Sequence, residues 1–105
     1  MINHKEFISA IHKKRKILLT FYSKEDKCNL KRKCAPLDFG PSRKAKIKIP
    51  KYWFWDYESD KRPHPLGLKK NQIKEFEVLT ETFDPSKFIN WRPNWFIKRD
   101  WGKFS

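Results

Sequence analysis

Glycine is scarce in this chain, three in 105 residues, cysteine is scarcer at two, and 12 acidic side chains face 25 lysines and arginines. So few glycines leave no Gly-rich loop of the kind that wraps phosphates, which excludes the common nucleotide-hydrolysing and dinucleotide-binding signatures. Cys28 and Cys34 are too few for a disulfide framework and lack a paired Cys or His at zinc-ligand spacing, so two ordinary thiols and no structural zinc are expected. Long apolar runs are missing as well. Nothing approaches the roughly 18 residues of a membrane span, and MINHKEFISAIHKKRK holds no apolar stretch long enough for a signal peptide, so no membrane and a cytoplasmic location are expected. His4, His12 and His64 are scattered and no nucleophile stands beside a base. The chain is therefore not read as an enzyme, and no cofactor or metal is expected.

What is abundant is positive charge and aromatic carbon. A formal charge of +13 and a pI near 9.9 draw phosphates, anionic lipid heads or acidic proteins, but carry no information about fold. Five Trp, nine Phe and three Tyr supply far more buriable ring area than disordered chains carry. The length suits one domain with a modest core.

Asn3-His4-Lys5-Glu6 offers a capping side chain with an acid three places on, and Phe7, Ile8 and Ile11 share one helical face, which predicts a helix near residues 4–15. ILLTFY then reads as a strand, Ser23 to Lys27 as a turn, and Cys28 to Pro36 as a return strand with Cys28, Leu30, Arg32 and Cys34 on one side. After the turn signal Gly40-Pro41-Ser42, RKAKIKI alternates: Ala45, Ile47 and Ile49 on one face, Lys44, Lys46 and Lys48 on the other, as in a half-buried strand. Residues 52–57 form a further strand, aromatic on both sides. ESDKRPHP makes a polar loop, LGLKKNQI a short strand or turn, and KEFEVLT a strand with Phe76 and Val78 on one face. Asp84-Pro85 opens a short helix over about 85–91 that Pro93 ends. The tail NWFIKRDWGKF is too aromatic for a loose terminus.

These elements point to a mainly β, α+β chain: a small barrel of SH3-like or OB type, with five or six strands, an N-terminal helix and a short C-terminal helix. Within it, ILLTFY ending in Tyr22, the return strand Arg32-Lys33-Cys34-Ala35-Pro36, the strand Tyr52-Trp53-Phe54, the segment HPLGLKKNQIKEFEV and the closing TETFDP together resemble a WYL domain over residues 5–88. Where that family carries an arginine before the isoleucine, this chain carries Gln72. The resemblance implies an SH3-like (Sm-like) five-stranded barrel serving as a ligand-sensing module. Such modules are most often joined to a helix-turn-helix in bacterial transcription regulators, and their ligands are nucleic acid or nucleotide-like anions. Residues 1–16 supply a single helix, so a free-standing sensor or accessory subunit is expected, with residues 1–88 as the barrel and 89–105 as an extension packed on it or on a partner.

The candidate ligand-binding residues are Tyr22, Arg32, Lys44, Lys46, Lys48, Tyr52, Phe54, His64 and Gln72. Arg32 lies on the apolar side of its strand and must meet either an anionic ligand or an internal carboxylate, Asp56, Glu75 or Glu77. On the aromatic strand, Trp53 and Trp55 are assigned to packing, leaving Tyr52 and Phe54 exposed to stack bases. Lys44, Lys46 and Lys48 either line a phosphate track or keep a sheet edge solvated. His64 either touches the ligand or is solvated in its loop. Asp56, Glu58 and Asp60 either hold a cation or pair with Lys61 and Arg62. A rival class of function is a structural or interaction subunit that docks on a protein, or on a second copy, through Trp91 to Phe104.

Overall fold

The computed structural model describes residues 2–58 and 64–105, His64 through its backbone alone. Helix α1 (His4–Lys13) starts where Asn3 Oδ1 accepts the Glu6 backbone N–H at 3.1 Å, satisfying a donor that a helix start leaves open. It stops at Lys13 because Lys14 turns left-handed (φ 55°) and returns its N–H to the carbonyls of Ala10 and Ile11. Phe7, Ala10 and Ile11 form its buried face.

Strands β1 (Arg15–Ser23) and β2 (Cys28–Gly40) make the expected antiparallel hairpin, closed by a turn in which Ser23 Oγ donates to Asp26 Oδ2. Strands β3 (Lys51–Asp56), β4 (His64–Leu68) and β5 (Ile73–Thr82) complete one antiparallel sheet in the order β4-β3-β2-β1-β5. One extra residue, Leu37, bulges from β2 between the pairs Pro36↔Phe54 and Asp38↔Trp53. That bulge is also where a strand interior tolerates Pro36, which has no N–H to give the ladder.

The strands at the two edges are consecutive in the chain. Segment 69–72, which includes a 3₁₀ turn over Lys70–Gln72, spans no more than about 18 Å even when fully extended. A flat sheet would hold β4 and β5 roughly 19 Å apart, so the sheet curls. It stays open: among the described residues no ladder joins β4 to β5, and the closed barrel expected from the sequence does not form. Short β4 carries Pro65, which has no N–H to give a further ladder.

Three further expectations are corrected. Residues 43–49 form no strand but part of the loop 41–50, with Ile47 75% and Ile49 42% exposed, because alternation needs a neighbouring edge and β2 is already paired on both sides. The faces of β3 are the reverse of the assignment. Tyr52 and Phe54 are 4% and 0% exposed beneath Phe7, whose ring meets theirs edge-on at 4.8 and 5.4 Å, while Trp53 and Trp55 are half-buried on the other face. The helix over 85–91 shortens to a 3₁₀ turn, Pro85–Lys87, capped by Asp84, which accepts from Ser86 N–H at 3.0 Å. Trp91 instead stacks beside Trp55 at 5.9 Å, and so short a helix has little cooperativity of its own to resist that contact.

Helix α1 thus covers one face of the sheet, and residues 83–105 pack over Trp55 on the other and reach back to α1. Trp55 stacks on Phe88 at 5.0 Å. Trp101 donates its indole N–H to the Ile11 carbonyl at 2.9 Å, tying the tail to α1. Asp38 accepts the backbone N–H groups of Phe96 and Ile97 at 2.9 and 3.0 Å. Arg99, buried between the rings of Trp95 and Trp101, donates to Asp38 and to the carbonyls of Leu37 and Ile97. Burial pushes its pKa down to about 10 against the opposing pull of Asp38.

Candidate nucleic-acid interface

On the tail-covered face lies a groove of about 510 Å³, walled by Trp53, Trp91, Trp95 and Phe96, with Arg43 and Lys44 at one side. Two glycines seat its rings. A Cβ on Gly67 would stand 2.6 Å from the Trp53 ring, and one on Gly40 would stand 2.4 Å from that of Phe96, so both rings lie against bare backbone. Two of the groove's three indole donors are used internally: Trp53 Nε1–H reaches the Gly40 carbonyl at 2.9 Å and Trp95 Nε1–H the Phe104 carbonyl at 2.8 Å. What remains for a visitor is ring surface. Arg43 lies over Phe96 at 4.0 Å and donates to the Asn94 carbonyl, which fixes a cation at the rim.

The loop 41–50 carries the expected lysines beside this groove. Lys44 lines it, Lys46 is exposed, and Lys48 donates to the Ser42 and Arg43 carbonyls at 3.3 and 2.9 Å, holding the loop's own turn. Lys51, at the start of β3, places its ammonium 5.9 Å from the Trp53 ring centre.

Tyr22 and Gln72 come together elsewhere, in a smaller cradle of about 230 Å³ completed by Lys24, Lys69, Asn71 and Lys74. No carboxylate among the described residues lines it. Gln72 Oε1 accepts the Lys69 backbone N–H at 3.0 Å, so the amide turns its NH₂ group elsewhere as a donor. Tyr22 is 37% exposed and offers a ring edge.

Of the other candidates, Phe54, Tyr52 and Arg32 line neither place. Phe54 and Tyr52 belong to the core, the Tyr52 hydroxyl lying 2.8 Å from His4 Nδ1, and burial raises the Tyr52 pKa. Arg32, on β2, stands opposite Leu19 of β1 and donates from Nη1 to the Glu58 carbonyl at 2.8 Å. Its neighbour Cys34 is a buried thiol whose pKa is raised by burial and then by Asp56 and Glu58, against Arg32. The side chain of His64, together with Asp60, Lys61 and Arg62, lies outside the described residues. Asp56 Oδ1 accepts the Glu58 N–H at 2.9 Å, and among the described residues no group of three or more His, Cys, Asp or Glu side chains is placed to hold a metal ion. No helix among them is long and apolar enough to cross a membrane.

Trp91, Trp95, Phe96 and Arg43 were not read from the sequence as ligand-facing, and Trp53 was assigned to packing. The available signal was the pairing of isolated glycines with a surplus of indoles: Gly40 and Gly67 mark places where something large comes close to the backbone. No family model, no curated protein and no solved structure matches this chain.

Proposed function

We propose that the protein is a non-enzymatic binding module for nucleic acid or a nucleotide-derived anion, engaged through the tryptophan groove and its basic rim. The observation that carries this reading is the groove itself: four rings, with the Trp53 and Trp95 indole N–H groups already satisfied, beside Arg43, Lys44 and the lysines of loop 41–50. Stacked rings take the faces of bases whatever their sequence, and the cations take phosphates. The excess of thirteen positive charges supplies long-range attraction. The lysine cradle at Tyr22 and Gln72 is a second place for a phosphate.

The order of elements, a helix, a four-strand meander and a fifth strand returning to the first, accords with the WYL-like resemblance. On this reading the curled sheet is an SH3-like barrel left open between β4 and β5. Lysines at 24, 69 and 74 then provide the charge that the family draws from the arginine replaced by Gln72. A sensing role in regulation follows from the same resemblance. Docking of a protein through the aromatic tail has less to work with, since Trp101 and Arg99 are buried within the chain.

Fluorescence anisotropy with short single-stranded and duplex oligonucleotides, at two salt concentrations, tests the proposal. Binding should weaken steeply with salt, and Trp91→Ala should cost about 1–3 kcal/mol of single-strand affinity. Flat curves for every oligonucleotide would overturn it.

A further inference from the structure

Segment 45–49 has the composition of a strand without the partner. Ala45, Ile47 and Ile49 alternate with Lys46 and Lys48, yet both isoleucines are exposed and the loop's backbone bonds among the described residues are local, Ala45 N–H to the Ser42 carbonyl and Ile49 N–H to that of Ile47. Across the molecule, β5 is a sheet edge that pairs with β1 alone among the described residues. Its outward face carries Glu75 and Glu77, exposed carboxylates in no ion pair or hydrogen bond among those residues, while Phe76 and Val78, half-buried, face the other way. These two carboxylates are thus left for a partner in a chain of strongly positive charge.

Edge strands are ordinarily protected by like charges that repel their own copies. Here the two unpaired stretches have opposite sign, so the protection fails between them.

We propose that segment 45–49 of one molecule adds as a strand to the β5 edge of a second copy of this chain. The alternation matches in either direction: Ile47 set beside Phe76 brings Lys46 and Lys48 beside Glu75 and Glu77. Main-chain hydrogen bonds supply the affinity and the alternate side chains the register. Because the two surfaces differ, the contact is head-to-tail and builds short open chains or a ring. It draws on the same lysines as the nucleic-acid reading but does not depend on it.

Sedimentation velocity of the whole chain over a range of concentrations, without nucleic acid, tests this. The wild type should show association that grows with concentration and weakens as salt is raised to about 0.5 M. Lys46→Glu with Lys48→Glu, and separately Glu75→Lys with Glu77→Lys, should each sediment as monomer, with association weakened by about tenfold or more. An equimolar mixture of the two should associate again, because the reversed signs now match between copies. Ile47→Glu with Ile49→Glu, at exposed loop positions that leave folding untouched, should also abolish association. A wild type that is monomeric throughout, association that ignores both charge reversals, or a mixture that stays monomeric would overturn the proposal.

Discussion

The two faces of β3 use aromatic rings differently. Inward, Tyr52 and Phe54 sit under Phe7 in a region closed by α1, where a ring contributes only area and fit. Outward, Trp53 and Trp55 meet the tail, and indoles dominate: Trp53 and Trp95 each spend their N–H on a backbone carbonyl. Such a donor suits a half-wet boundary, where one edge of the ring must be satisfied and the face stays open. The inner face is a core, and the outer face is the one proposed to receive a ligand.

Breaking the inner side has the largest expected effect. Phe54→Ala should cost about 3–5 kcal/mol in a urea titration, while the molecules that remain folded keep their oligonucleotide affinity. Next comes the latch of the outer side. Asp38→Ala strips the Phe96 and Ile97 N–H groups of their acceptor and leaves Arg99 buried without its carboxylate, at a cost of about 3 kcal/mol. Limited trypsin digestion should then cut the tail at Lys98 before it cuts the sheet. Smaller, and confined to the groove, is Gly67→Ala, whose methyl pushes the Trp53 ring off β4; oligonucleotide binding should fall by about 1–3 kcal/mol with a smaller loss of stability.

The mildest test is alkaline. Burial, and then Cys34, Glu81 and Asp84, push the Tyr57 pKa up to about 12 from an ordinary 10. A phenol whose folded pKa is raised holds its proton longer when folded. Its contribution to stability is whole below about pH 10 and is lost as pH rises through 12. Tyrosinate absorbance should show a late transition that Tyr57→Phe removes.

Local chemistry was legible in the sequence. Asn3 and Glu6 mark the helix start, the turn after Ser23 marks the hairpin, and Phe76 with Val78 marks β5, because capping and alternation act between near neighbours. Parity on β3 was not legible. Residues 52–55 are aromatic at every position, so either face would serve, and the choice is made by register across the Leu37 bulge and by Phe7 above it. Lysine and isoleucine at 46–49 alternate like a strand, but alternation cannot report whether an edge is free. The groove was hidden for a related reason. Gly40, Trp53, Gly67, Trp91 and Phe96 meet only after the sheet curls, and the Asp38–Arg99 pair that holds the tail there joins distant parts of the chain.

Indole N–H resonances in a nitrogen–proton correlation spectrum, followed as a short single-stranded oligonucleotide is added, test the division between the two faces most directly. The signals of Trp53, Trp91 and Trp95 should shift or broaden together, while Trp101 and the backbone amides of Phe7 and Phe54 stay in place. Shifts confined to the lysine loop, with every indole unmoved, would contradict the claim that the outer rings receive bases.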